Sequence, residues 1–120
     1  MVKEVDFSKE ETIRAMKELL KLPDPPTGIF TFKNSITLDA LDYLQNNAPK
    51  LLKKIEFTDF GNLPLFHYTR HKPVASIEED FYRMGREAAV LLFSMIEEEN
   101  NGEEVSCKNV EIPCKLVIHK

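Results

Sequence analysis

The stretch Thr58-Asp59-Phe60-Gly61-Asn62, directly after the strand-like "KKIEF", carries the Asp-Phe-Gly triplet with which protein kinases hold magnesium. Phosphoryl transfer of that type also needs a glycine-rich phosphate loop, a strand lysine and a His-Arg-Asp loop ahead of the triplet. The chain has four glycines and no glycine cluster, which excludes a kinase. Asp6, Asp59 and Lys33 invite a second comparison, with a phosphoacceptor site built from carboxylates at strand ends. Such a site wants an adjacent acidic pair after the first strand and a lysine late in the chain, whereas Asp6 stands alone beside Phe7. Asp6 and Asp59 are therefore expected to be hydrogen-bonding loop residues.

His67 and His71 stand four residues apart, the spacing of two zinc ligands on one helical face. No glutamate follows the first as in His-Glu-x-x-His, no third ligand is near, and Tyr68, Arg70 and Lys72 surround them. Exposed loop histidines are the expectation, with no metal. A Gly-x-Ser-x-Gly nucleophile elbow is absent, and neither Cys107 nor Cys114 lies beside a histidine or at a helix start. The two cysteines are expected to be reduced and partly buried. These patterns call for no catalytic residue, no cofactor and no enzyme.

At 120 residues, 42% hydrophobic and 30% charged, the chain has the make-up of one globular domain. Its net charge of −4, with no basic run, argues against nucleic-acid binding by these residues. No apolar run approaches the roughly 20 residues of a membrane span, and "MVKEVDFSKE" is not a signal peptide.

The elements that must position these residues follow from periodicity and punctuation. "VKEVDF" alternates like a short strand, and Ser8 with Glu11 forms a capping box for a helix whose stripe is Ile13, Met16, Leu19 and Leu20. "LPDPP" stops it. "GIFTF" reads as a buried strand, and Asn34-Ser35 can cap a helix with Leu38, Leu41 and Leu44 facing inward. "LLKKIEFTDF" is a third strand, "GNLPLFHYTRHKP" a loop with room for one helical turn, and "VASI" a fourth strand. The longest helix spans Glu79 to about Glu98, with Gly102 placed to end it; "VSCKNVEIPCKLVIHK" reads as two strand-like pieces around Pro113. Strand and helix alternation predicts an α/β domain with a mainly parallel sheet. Ligands of such sheets bind at strand carboxyl ends: here after Asp6-Phe7, at Lys33-Asn34-Ser35, and at Asp59 to Asn62. Phe7 and Phe81 can each serve as core or as a face that stacks on a sugar or base.

Residues 24 to 119 resemble the second half of the effector-binding domain of LacI/GalR-type transcriptional regulators. "PDPPTGIFTFKNSITLDAL" is similar to the family's proline-threonine turn, apolar strand, Asn-Asp and following helix. "KKIEFTDFGN" looks like its strand ending in Gly-Phe-Asp-Asp. "KPVASIEEDFYRMGREAAVLL" matches its Pro-Leu-Thr-Thr-Ile segment and next helix, and "VEIPCKLVIHK" its closing strand. The resemblance implies an α/β fold with a mainly parallel sheet flanked by helices, one lobe of a type I periplasmic-binding-protein-like fold. Residues 1–120 would be the C-terminal lobe, with the helix-turn-helix and most of the first lobe absent, as in a truncated product. The implied function is cytoplasmic: sensing a small-molecule effector, a sugar or related metabolite, and dimerising, to control operator DNA binding by the full-length protein.

The effector site is carried over residue by residue. Phe7 matches the aromatic residue that stacks on the effector, and Asn34 the polar residue that hydrogen-bonds it. Ser35 stands where the family usually has aspartate; Gly61 stands where an aspartate would clamp hydroxyls, with Asn62 in place of the second one. Phe81 matches the aromatic position that opens the long helix. Loss of two carboxylates removes charge-assisted bonds about twice as strong as neutral ones, leaving Asp59 and Asn62 as substitutes. The resemblance also implies that the long helix crosses to the other lobe. Its face of Phe81, Met84, Ala88, Leu91, Leu92, Met95 and Ile96 is then expected to be uncovered and to drive self-association. A sugar-binding protein of an uptake system is the alternative; a flavodoxin-like enzyme finds no acid–base pair or phosphate loop to support it.

Overall fold

Ser8 opens the first helix as its sequence context predicts. In the computed structural model, which describes residues 1–119, its hydroxyl accepts from the Glu11 N–H at 3.2 Å and α1 runs Lys9–Leu20. The buried face is Thr12, Ala15 and Met16. Only Met16 of the expected stripe is fully buried, because small residues let α1 lie close against the next helix. Ahead of the cap, residues 1–6 form no strand. Six alternating residues make a strand only where a neighbouring edge pairs with them, and these bond to none.

The four strands are β1 (Gly28–Thr31), β2 (Glu56–Phe60), β3 (Ala75–Glu78) and β4 (Lys115–Ile118), in the sheet order β1-β2-β3-β4. The pairs β1–β2 and β2–β3 are parallel, with Thr31 opposite Asp59 and Asp59 opposite Ser76. Parallel neighbours need a crossover, and α2 (Asn34–Asn47) supplies the one between β1 and β2. It begins at Asn34 without a side-chain cap, so neither Asn34 nor Ser35 caps it. The Asn34 amide is turned toward β2 instead. "LLKKIEFTDF" divides: Pro49–Lys53 is a tight 3-10 turn opened by its proline, and β2 starts only at Glu56. A second such turn, Pro64–Tyr68, lies in the expected loop.

One core holds these elements together. Met16 of α1, Ala40, Leu41 and Leu44 of α2, and Ile55 and Phe57 at the start of β2 form a buried cluster. Alternation along β2 sends Phe57 and Asp59 to this side and leaves Glu56 exposed.

The chain divides into two units, Met1–Glu78 with the end from Leu116, and Glu79–Lys115. In the second, Asp80 caps α3 (Phe81–Asn100) by accepting from the Arg83 N–H at 2.9 Å, and Gly102 at φ +72° turns the chain beyond it. The Lys108 ammonium bonds Ser94 and Glu98 and ties the following segment to the helix. Cys107 and Cys114 are both exposed, not partly buried, since that segment forms no strand before Lys115. No described helix is long and apolar enough to cross a membrane.

None of the α3 residues is buried, and Phe81, Leu92 and Phe93 are 66%, 58% and 65% exposed. Exposed apolar side chains on a helix are commonly covered by a partner. Light scattering at rising concentration is expected to give a mass above one chain, and Leu92→Asp to restore the monomer. A clean monomer at high micromolar concentration overturns this.

Candidate functional site

Parallel pairing in this register sets Thr31, Asp59 and Ser76 side by side, and α2 lowers Thr37 onto them; all four are buried. Thr37 Oγ1 donates to Asp59 Oδ2 at 3.2 Å, and Ser76 Oγ donates to Asp59 Oδ1. Each hydroxyl has one proton. Thr31 must therefore be the donor in its 2.6 Å contact with Thr37, and His119 Nε2 the donor in its 2.7 Å contact with Ser76. Burial pushes the Asp59 carboxyl above its ordinary value, against the hydrogen bonds from Ser76 and Thr37 and the nearby His119. Asp59, Ser76 and His119 thus meet, though no motif announced them. Their order is not that of a nucleophile relay, because the serine bridges acid and imidazole and hands its own proton to the acid. At 1% exposure Ser76 is also closed to any substrate.

Above this row lies the rim at the strand carboxyl ends. With its nitrogen facing the acceptors, the Asn34 amide donates to Asp59 Oδ2 at 3.0 Å and to the Gly61 carbonyl at 2.7 Å. Gly61 has φ +101°, and a Cβ there would fall 2.8 Å from the Asn34 amide. Asn62 Nδ2 donates to Glu78 Oε1 at 3.1 Å, while its Oδ1 is buried with no partner among the described residues. Phe7, half exposed, takes φ +68°, unusual for a bulky residue, and the Lys33 ammonium stands 4.9 Å from its ring centroid. Asp6 fixes this turn by accepting from the Ser8 N–H at 2.9 Å.

Asn34 is thus bonded to Gly61, Asn62 to Glu78, and Phe7 meets Lys33, the residue before Asn34; Ser35 is half-buried beside Asn34. Asp59 lies beneath them with no exposure. Phe81 opens α3 in the other unit. Glu78 escaped the sequence reading, although the strand-end rule, extended to "VASI", reaches it. Phe32 stacks on Phe60 at 5.4 Å and was also missed. His67 is exposed and lies edge-on to His119, while His71 is half-buried. No three His, Cys, Asp or Glu side chains among the described residues are grouped to share a metal ion.

Two outcomes follow from this geometry. Gly61→Asp restores the carboxylate that the resemblance leads one to expect, yet it meets both a positive φ and the Asn34 amide. It is expected to cost about 1–3 kcal/mol in denaturant unfolding and to gain no ligand. Asp59 has a folded-state pKa above its unfolded one. Its contribution to stability is full below the ordinary carboxylate value and is lost as pH rises through the raised value. Relative to Asp59→Asn, the wild type is expected to lose stability as pH rises from about 4 toward neutrality; a constant difference refutes it.

Residues 1–120 match the periplasmic binding protein-like domain family. The chain is 30% identical over 113 residues to the HTH-type transcriptional repressor CytR of Escherichia coli strain K12, a match covering 94% of this chain and 32% of that protein. It is 22% identical over 117 residues to the repressor PurR of Aliivibrio salmonicida, covering 98% of this chain and 35% of the repressor. It therefore spans about a third of the length of these relatives. Among solved structures, a LacI transcriptional regulator from Bacillus cereus subsp. cytotoxis NVH 391-98 superposes with a TM-score of 0.73 at 29% identity, covering 96% of this chain and 39% of that one. A LacI family regulator from Bifidobacterium animalis subsp. lactis, at 22% identity and TM-score 0.70, shares the fold over 94% of this chain and 40% of its own. The chain belongs to the periplasmic binding protein-like domain family and is similar, over this segment, to part of LacI-type transcriptional repressors.

Proposed function

We propose that this chain is the C-terminal lobe of the effector-sensing domain of a cytoplasmic LacI-type regulator. It binds a small molecule, a sugar or related metabolite, and works as a homodimer to control operator binding through a helix-turn-helix elsewhere in the longer protein. The observation that carries this reading is the group of Asn34, Gly61 and Asn62 at the carboxyl ends of parallel strands, where such sheets take ligands, with Phe7 against Lys33 beside it. Phe7 offers an apolar face for stacking, and the unpartnered Asn62 Oδ1 an acceptor for a hydroxyl. Ser35 adds a neutral hydroxyl.

In this reading Asp59 acts from beneath. Its oxygens hold the Asn34 amide, Thr37 and Ser76, so it fixes the polar rim rather than touching the effector. Glu78 takes the carboxylate role that Ser35 and Gly61 cannot fill. A thermal-shift screen of sugars, sugar phosphates and purines on the full-length regulator is expected to find a stabilising ligand. Phe7→Ala and Asn34→Ala should each weaken it about tenfold, equivalent to roughly 1.4 kcal/mol. Stabilisation unchanged by both substitutions would remove the proposed site.

A further inference from the structure

At the opposite end of the strands from Gly61 and Asn62 lies a cavity of about 300 Å³, beside the start of β2 and the segment entering β3. Its lining includes the buried or half-buried apolar residues Leu41, Leu52 and Phe57 together with Lys53, Arg70, His71 and Lys72, with Glu56 as the one carboxylate. Lys53, Arg70 and Lys72 make no ion pair among the described residues, whose pairs involve other cations. Three permanent positive charges against one negative leave an excess of two around this recess. The chain as a whole carries −4, so the concentration of unpaired cations here is local and runs against the global balance.

We propose that this cavity is a second ligand site, for the phosphate of a small phosphate monoester, separate from the effector rim. A dianion matches the excess of two charges. Arg70 offers a planar fork that bonds two phosphate oxygens at once, while Lys53 and Lys72 act as point charges. His71 adds a ring donor, and the apolar lining takes the carbon part of the molecule. A recess of this size favours a terminal phosphate over a backbone one, and the chain has no extended basic stripe to follow a nucleic acid.

The test uses this chain, titrated by calorimetry and by amide chemical shifts at low ionic strength. The probes are inorganic phosphate, phenyl phosphate and dimethyl phosphate. Phenyl phosphate should bind tightest, with amide shifts centred on His71, Lys72 and Val74. Arg70→Gln and Lys72→Gln should each weaken it about tenfold, the scale of one charge-assisted hydrogen bond. Lys17→Gln, an exposed lysine of α1, and Phe7→Ala should leave binding unchanged. Because Phe7 belongs to the effector rim, failure here and failure there are told apart. Equal binding of the singly charged diester, equal loss with Lys17→Gln, shifts centred on Asn34 and Gly61, or no binding at all each overturn the assignment. The shift map on the unaltered chain decides the matter even where a variant fails to fold.

Discussion

A carboxylate with no solvent exposure sits in the middle of the sheet and has to be satisfied there. Asp59 receives three donors from two elements: Thr37 and Asn34 on α2, and Ser76 on β3. Asn34 and Thr37 are three residues apart on the helix, so both can face the same carboxylate. This one requirement restricts much of the fold. Slipping β2 by one residue would turn Asp59 to the other face and bring Phe60 inward among hydroxyls. Starting α2 elsewhere would remove two donors together. Through Ser76 the row reaches the His119 ring, and the His119 backbone N–H bonds the Val74 carbonyl at 2.9 Å, so the end of β4 is anchored to the same network.

What could be read from the chain divides along the same line. The Ser8 cap, β1, α2 and β3 are local in origin, and their signals lie within a few residues of one another. The strand expected in "VKEVDF" depends on a partner edge, which no local pattern reports. The capping role expected of Asn34 fails for a related reason: Lys33 holds the cap position, and the Asn34 amide nitrogen donates to a tertiary acceptor, Asp59. Asp59 itself was expected to be a loop residue or a ligand contact. Its burial depends on pairing with Ser76, 17 positions along, and with Thr37, 22 positions back. The part played by His119, 43 residues beyond Ser76, is further still from any sequence window. Registers and long-range hydrogen bonds carry the site, and neither has a local signature.

The exchange of acid and glycine about Phe60 has a packing explanation. A residue with φ +101° and a neighbour's amide 2.8 Å from its Cβ position has room only for glycine. That closeness lets the Gly61 carbonyl accept from Asn34, so the backbone serves as the acceptor that a side chain would otherwise supply. The acid sits two residues earlier, within β2, where it is buried and structural. Glu78, at the end of the next strand and bonded to Asn62, then remains as the carboxylate of the rim.

Backbone strain is distributed in keeping with that assignment. Among the described residues three have positive φ: Phe7, Gly61 and Gly102. Gly102 ends α3, where glycine releases the chain at little cost. The other two belong to the strand-end rim. Phe7 is the costly one, because a bulky residue in the left-handed region persists only where its surroundings over-determine it. Here they do: Asp6 clamps the turn through the Ser8 N–H, Ser8 caps α1, and Lys33 holds its charge over the exposed ring. The core of Met16, Leu41, Leu44 and Phe57 gains nothing from that conformation, since Phe7 lies outside it. The ring is thus left outside the core by the turn at Asp6 and Ser8 and is met by the Lys33 ammonium, a conformation that packing of the core does not require.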